Sequence, residues 1–154
     1  MSARAEIIDT GEEYFYKAQL KINRPASEIF QFIAQPKNHS LMDGSGMVKG
    51  SLAGPSKLFL GAKFGMKMKQ GLPYFISNQV IEFKEDNAIA WQHLLHNVWR
   101  YELNKIDENT TRVTESWDAR RARGLWFIKK RKPQNWVPKA MGKSLVMLKE
   151  IMEK

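Results

Sequence analysis

Proton transfer and ligand orientation both need polar side chains held away from bulk water, and here the candidates fall in segments where apolar residues recur at every second position. Ile89, Trp91 and His93 share one face of such a segment. Trp99, Tyr101 and Leu103 share a face of the next, and Val113, Glu115 and Trp117 a face of a third, because successive side chains of a strand point to opposite sides. If these faces look inward, His93, Tyr101 and Glu115 are polar groups in an apolar interior, and each must find a partner or cost about 1–3 kcal/mol. They can then orient a ligand's carbonyl or hydroxyl, pair with one another, or stand at strand ends in water. Parity does not choose among these, and a single bulge exchanges the faces. As an acid–base set, Glu115 or His93 would move the proton, and Tyr101 or Arg100 would polarise a carbonyl.

Other chemistries are excluded more firmly. The chain has no cysteine, so it holds no disulfide, no thiolate nucleophile and no Cys-ligated metal. No G-x-S-x-G elbow or phosphate loop occurs. The histidines are His39, His93 and His96; the last two are three apart, which on a strand sets them on opposite faces. No metal site and no cofactor are expected.

Charge is distributed unevenly. The net charge is +9, yet Met1–Asp118 carries 14 basic and 14 acidic residues, and Ala119–Lys154 carries 11 basic against 2 acidic. Within that end, the apolar tetrad Leu125-Trp126-Phe127-Ile128 sits between three arginines and the run Lys129-Lys130-Arg131-Lys132. Cationic flanks around an aromatic centre suit an anionic bilayer surface, where Trp prefers the interface. The segment can equally pack its apolar residues on a sheet, with the charges in water. Binding of a partner or a single-stranded nucleic acid is the remaining and least favoured option.

The elements that must position these groups are legible from periodicity. Alternation from Tyr14 to Ile22 predicts a half-buried strand. Ala26, Ile29, Phe30 and Ile33 then recur at helical spacing after Pro25, and Pro36 closes the segment. Turn-formers fill Pro36 to Gly46, with room for one more helical turn. Strands are predicted at Met47–Ser51, Lys57–Gln70 in one or two pieces, Tyr74–Lys84, Ile89–Leu95, Val98–Ile106 and Thr111–Arg120. Met141, Leu145, Leu148 and Met152 mark the apolar face of a last helix running from about Pro138 to Lys154. The length argues for one domain over residues 1–154, of the α+β class. No apolar run is long enough to cross a bilayer and the first residues lack a secretion signal, so a cytoplasmic protein, with peripheral membrane contact at most, is expected.

The segment Ile22-Asn23-Arg24-Pro25-Ala26-Ser27-Glu28-Ile29-Phe30, the later Leu60-Gly61-Ala62-Lys63-Phe64 and Asn78-Gln79-Val80-Ile81-Glu82-Phe83, and Trp99-Arg100-Tyr101-Glu102-Leu103, in this order, resemble the SRPBCC superfamily of START-related helix-grip proteins, in particular its polyketide cyclase/dehydrase-like members. The resemblance implies a curved seven-stranded antiparallel sheet wrapped around a long C-terminal helix, with two short helices after the first strand and an apolar cavity between sheet and helix. It implies a hydrophobic small molecule, such as a lipid, polyketide or aromatic-type compound, as ligand, and in a minority of members cyclase or dehydratase chemistry. With eight methionines, five tryptophans and eight phenylalanines, this chain has pliable and bulky lining for such a cavity, although the same side chains also fill ordinary cores. The expected lining residues are Phe30, Trp91, His93, Trp99, Tyr101, Trp117, Met141 and Leu145, and Leu125–Lys132 is the expected lid. Oligomeric state and ligand identity are not legible.

Overall fold

In the computed structural model, residues 3–93 and 95–154 are described. Among them, eight strands form one antiparallel sheet: β1 (Glu6–Ile8), β2 (Phe15–Ile22), β3 (Val48–Ser51), β4 (Lys63–Gln70), β5 (Leu72–Lys84), β6 (Ala88–His93), β7 (Val98–Asp107) and β8 (Thr110–Asp118). Their spatial order is β1-β2-β8-β7-β6-β5-β4-β3, so β3 to β8 form a meander and β2 closes against its last strand. Four helices accompany them: α1 (Ala26–Ile33), α2 (His39–Met42), α3 (Leu125–Lys130) and α4 (Val137–Met152). Among the described residues no helix is long and apolar enough to cross a membrane.

The expected seven strands become eight because β1 adds to the outer edge of β2, with Ile7 opposite Ala18. Three residues are too short for alternation to register in the sequence. Lys57–Ala62 is not strand, and β4 begins only at Lys63. The tight turn between β4 and β5 is Gly71 alone, at φ +78, where a glycine escapes the strain a Cβ would impose.

The inward residues follow the strand period. Phe64, Met66 and Met68 alternate with exposed Lys63, Lys67 and Lys69 on β4. On β5 a register shift between Val80 and Glu82 sends Phe83, rather than Glu82, toward α1, where its ring meets Phe30 edge-on at 5.3 Å. Across β7 and β8, Trp99 lies opposite Trp117 and Tyr101 opposite Glu115. The concave face therefore presents one aromatic and polar belt across the middle strands.

Helix α4 packs mainly on β2 and also touches β8 and α2. It buries Val137, Ala140, Met141, Ser144, Leu145 and Leu148. The small residues at 140 and 144 matter most for the interior, since they leave space where the larger ones fill it. The loop after α2 comes close to the helix at this point: the Gly44 N–H donates to Ser144 Oγ at 2.7 Å, and a Cβ on Gly44 would clash with the Ala140 carbonyl and the Ser144 amide.

Candidate functional site: an apolar cavity with an unpartnered carboxyl group

Between the concave sheet face and α4 lies a cavity of about 370 Å³, within the size range of small-molecule sites. Trp91, His93, Trp99, Tyr101, Glu115 and Trp117 line it from β6 to β8, on the faces that strand parity groups together. Met66, Met68 and Ile76 line it from the neighbouring strands, and Met42, Met47 and His39 from the α2 region. The aromatic walls are in mutual contact. Trp91 meets Tyr101 at 5.8 Å and Phe64 at 5.8 Å, and Trp99 meets Trp117 at 6.3 Å.

Three expected lining residues lie elsewhere. Phe30 is buried against Phe83 and does not reach the cavity. Met141 and Leu145 are fully buried in the core, and the cavity instead meets Ala140 and Ser144 of the same helix. One residue along a helix is a rotation of about 100°, and the apolar periodicity marked the packed stripe, whereas the cavity borders the edge of that stripe. Arg100 is also outside the cavity. It alternates with Trp99 and Tyr101, so it emerges on the opposite sheet face, where Nε donates to Glu82 Oε1 at 2.7 Å and a second nitrogen pairs with Glu102. No role in polarising a carbonyl inside the cavity follows for it.

Beside serines, Asn97 and Arg131, the polar lining includes a buried tyrosine–glutamate pair. Tyr101 Oη donates to Glu115 Oε1 at 2.8 Å, and Glu115 Oε2 is buried with no partner among the described residues. Desolvation raises the Glu115 pKa from 4.5 to about 8; the Tyr101 hydrogen bond opposes this, and the nearby Asp43 carboxylate adds to it. At neutral pH the group is therefore a carboxylic acid. Because Oε1 accepts from Tyr101, the proton belongs on Oε2, which makes that oxygen a hydrogen-bond donor. Burial and the adjacent Glu115 likewise push the Tyr101 hydroxyl well above its ordinary value, so it stays protonated.

Two histidines complete the set. His39 stacks on Trp91 with ring centroids 4.8 Å apart, and its Nε2 lies 2.8 Å from the Ile33 carbonyl. Burial lowers its pKa to about 4, so the ring is neutral and Nε2–H donates to that carbonyl. Its Nδ1 is then an acceptor, buried and without a partner among the described residues. His93, also held at about 4 by desolvation, pairs through Nδ1 with Asn78 Oδ1 and keeps Nε2 as its acceptor. Asp43, in contrast, is occupied structurally: it accepts from Ser45 Oγ at 2.7 Å and from the Val48 amide at 2.8 Å. The residues around the cavity thus include one neutral acid and two neutral imidazoles, with Glu115 Oε2 and His39 Nδ1 buried just behind the wall.

Sequence reasoning missed His39 as a cavity residue, because the turn-rich stretch around it has no period from which to infer a direction. It also missed Asn78, which lies outside the cavity lining but holds His93, and for which a signal existed: in the alternating set Tyr74, Ile76, Asn78, Val80, an amide stands in an apolar position. Among the described residues no cluster of three or more His, Cys, Asp or Glu is placed to hold a metal ion.

The expected lid is divided by the structure. Phe127, Ile128 and Arg131 border the cavity; Leu125 is half-buried against the core, outside the cavity lining, and Trp126, Lys129, Lys130 and Lys132 face outward. Gly124, at φ +67, turns the chain into α3. Arg131 ties the segment down, bonding Gln70 at the end of β4 and stacking over Trp136 at 5.6 Å.

No protein-family model matches the chain. It is 38% identical over 113 residues to the uncharacterized protein Rv0088 of Mycobacterium tuberculosis, a match covering 73% of this chain and 50% of that protein. The chain thus spans about half the length of the curated relatives it matches. Among solved structures, protein Ms6760 of Mycobacterium smegmatis superposes with a TM-score of 0.72 at 10% identity, covering 98% of each chain. Protein NE0264 of Nitrosomonas europaea superposes with a TM-score of 0.68 at 14% identity, covering 95% of this chain and 97% of that one. At such identities the likeness establishes the shared fold, one large antiparallel sheet with a C-terminal helix.

Proposed function

We propose that the protein binds a hydrophobic small molecule in the cavity between sheet and α4, as a helix-grip protein of the SRPBCC type, and that the ligand carries an oxygen which accepts a hydrogen bond from Glu115. The observation that carries this reading is the cavity itself, walled largely by aromatic and methionine side chains, with the Tyr101–Glu115 pair in its lining and Glu115 Oε2 buried and unpartnered just behind the wall. A buried donor without a partner costs about 1–3 kcal/mol, and a small rotation of the Glu115 carboxyl toward a ligand carbonyl or hydroxyl recovers it. Enclosing roughly 300 Å² of apolar ligand surface contributes about 7 kcal/mol, which offsets the freedom the ligand loses on binding. Lipids, polyketides and aromatic compounds with one keto, ester or hydroxyl group meet these demands.

Native mass spectrometry of the purified protein tests the reading. It predicts a co-purifying adduct that organic solvent extracts, with an oxygen-bearing and largely apolar composition. Recovery of protein at its bare mass, together with failure of a panel of such compounds to bind, would refute it.

The protonated Glu115 also favours a second reading, in which it acts as a general acid toward the ligand oxygen in a cyclase or dehydratase reaction, with a neutral histidine accepting a proton. Turnover would then fall as pH rises through about 8 and Glu115 loses its proton. Ligand recovered unchanged after incubation excludes this second reading and leaves the first intact.

A further inference from the structure

We infer that the mouth of the cavity is a docking surface for an anionic lipid bilayer. Three segments distant in sequence meet at this end of the molecule. The tip of the β4–β5 hairpin overhangs β6, whose last residue, His93, pairs with Asn78, so that residues 72–77 extend past it. The turn between β6 and β7 is joined to the α3 approach by the Arg123 amide donating to the Leu95 carbonyl at 2.7 Å. Helix α3 is joined to the hairpin by Arg131 and Gln70.

Each segment displays large apolar side chains that the fold leaves in water. Leu72 is 80% exposed and Phe75 71% on the hairpin; Trp126 is 69% exposed and Phe127 46% on α3. Phe75, Phe127 and Leu95 also line the cavity, so the exposed apolar rim runs directly into the binding site. A contiguous apolar patch of this kind marks an interaction surface.

The charge around the rim identifies the occupant. Lys129, Lys130 and Lys132 are exposed on and just after α3, Arg123 precedes it, and Lys67 and Lys69 face outward on the hairpin. Residues 119–132 contain no acidic side chain. A Trp and a Phe flanked by lysines match the interfacial zone of a membrane, where aromatic rings settle at headgroup depth and cations meet anionic lipid. A protein partner would not call for cations on both α3 and the hairpin tip with no acidic residue in either segment, and a nucleic acid would not call for exposed leucines. Docking in this orientation presents the cavity opening to the acyl phase, which is where an apolar ligand resides.

Co-sedimentation with phosphatidylcholine vesicles, with and without phosphatidylglycerol, tests the inference. The protein is expected to sediment with the mixed vesicles at low salt and to stay in the supernatant with pure phosphatidylcholine. Lys129→Gln, Lys130→Gln and Lys132→Gln together are expected to lower the partition coefficient about a hundredfold, from the roughly fivefold that each surface cation contributes. Trp126→Ser with Phe127→Ser is expected to abolish binding while leaving the far-ultraviolet circular dichroism unchanged. A cavity-filling variant, Ala140→Trp, is expected to bind vesicles normally, so failure of the ligand reading is distinguishable from failure of this one. No binding to anionic vesicles would overturn the inference. So would binding that survives loss of both aromatics, or a preference for single-stranded RNA that removes the protein from the vesicles.

Discussion

Replacing Glu115 by Gln isolates the charge state on which the reading of the cavity rests. In the unfolded chain the carboxyl ionises near its ordinary value of 4.5, and in the fold it holds its proton to about 8. Between these values the native state carries a proton that the unfolded state has released, so stability falls as pH rises. The slope is about 1.4 kcal/mol per pH unit, and the whole interval amounts to about 5 kcal/mol. The side-chain amide of Glu115→Gln would keep the shape, would still accept from the Tyr101 hydroxyl, and would offer N–H where the acid offers O–H, without ionising. The stability difference between variant and parent should therefore widen steadily from pH 5 to pH 8 in favour of the variant, while the histidine contributions cancel. Urea denaturation of both proteins at half-unit intervals measures it. A difference that stays flat across that range would mean that Glu115 ionises normally in the fold, and the neutral donor would have to be abandoned.

On the acid side the sign reverses. His39 and His93 have folded values of about 4 against 6.5 unfolded, so stability is lost as pH falls below 6.5, and His39→Gln should flatten part of that limb in the same denaturation series. Filling the space beside α4 with Ala140→Trp should abolish binding of any cavity ligand in isothermal titration, at a cost of about 1–3 kcal/mol in stability from overpacking. Gly44→Ala should lower stability by about 2–4 kcal/mol in thermal denaturation, because the new methyl group forces the loop off α4 and breaks the bond to Ser144. A Gly44→Ala variant with unchanged melting temperature would show that this close approach is not required.

Strand parity carried most of what was legible. Trp91, His93, Trp99, Tyr101, Glu115 and Trp117 share the cavity because period-two patterns hold wherever a strand has one wet face and one dry face. Helical periodicity was less informative for the same site. Met141 and Leu145 are the obvious apolar residues of α4, but a cavity beside a helix requires small residues, and Ala140 and Ser144 carry no hydrophobic signal strong enough to mark them. Phe30 was misplaced because the bulge at Val80/Glu82 turns Phe83 inward to meet it, and no local pattern announces a bulge. Pairing across 61 residues, such as Arg131 with Gln70, is set by the register of the whole sheet and is invisible in either segment alone. The unpartnered atoms of Glu115 and His39 belong to the same class, since a missing partner is a property of the assembled interior.

Energy transfer from tryptophan to a neutral apolar fluorophore decides whether the cavity admits a guest. Trp91, Trp99 and Trp117 stand on its wall, so N-phenyl-1-naphthylamine bound there would quench them. Saturable quenching at one site per chain is predicted, lost in Ala140→Trp and retained in Trp126→Ser, whose side chain lies outside the cavity lining. Quenching that never saturates, or that persists in Ala140→Trp, would contradict a ligand site between the sheet and α4.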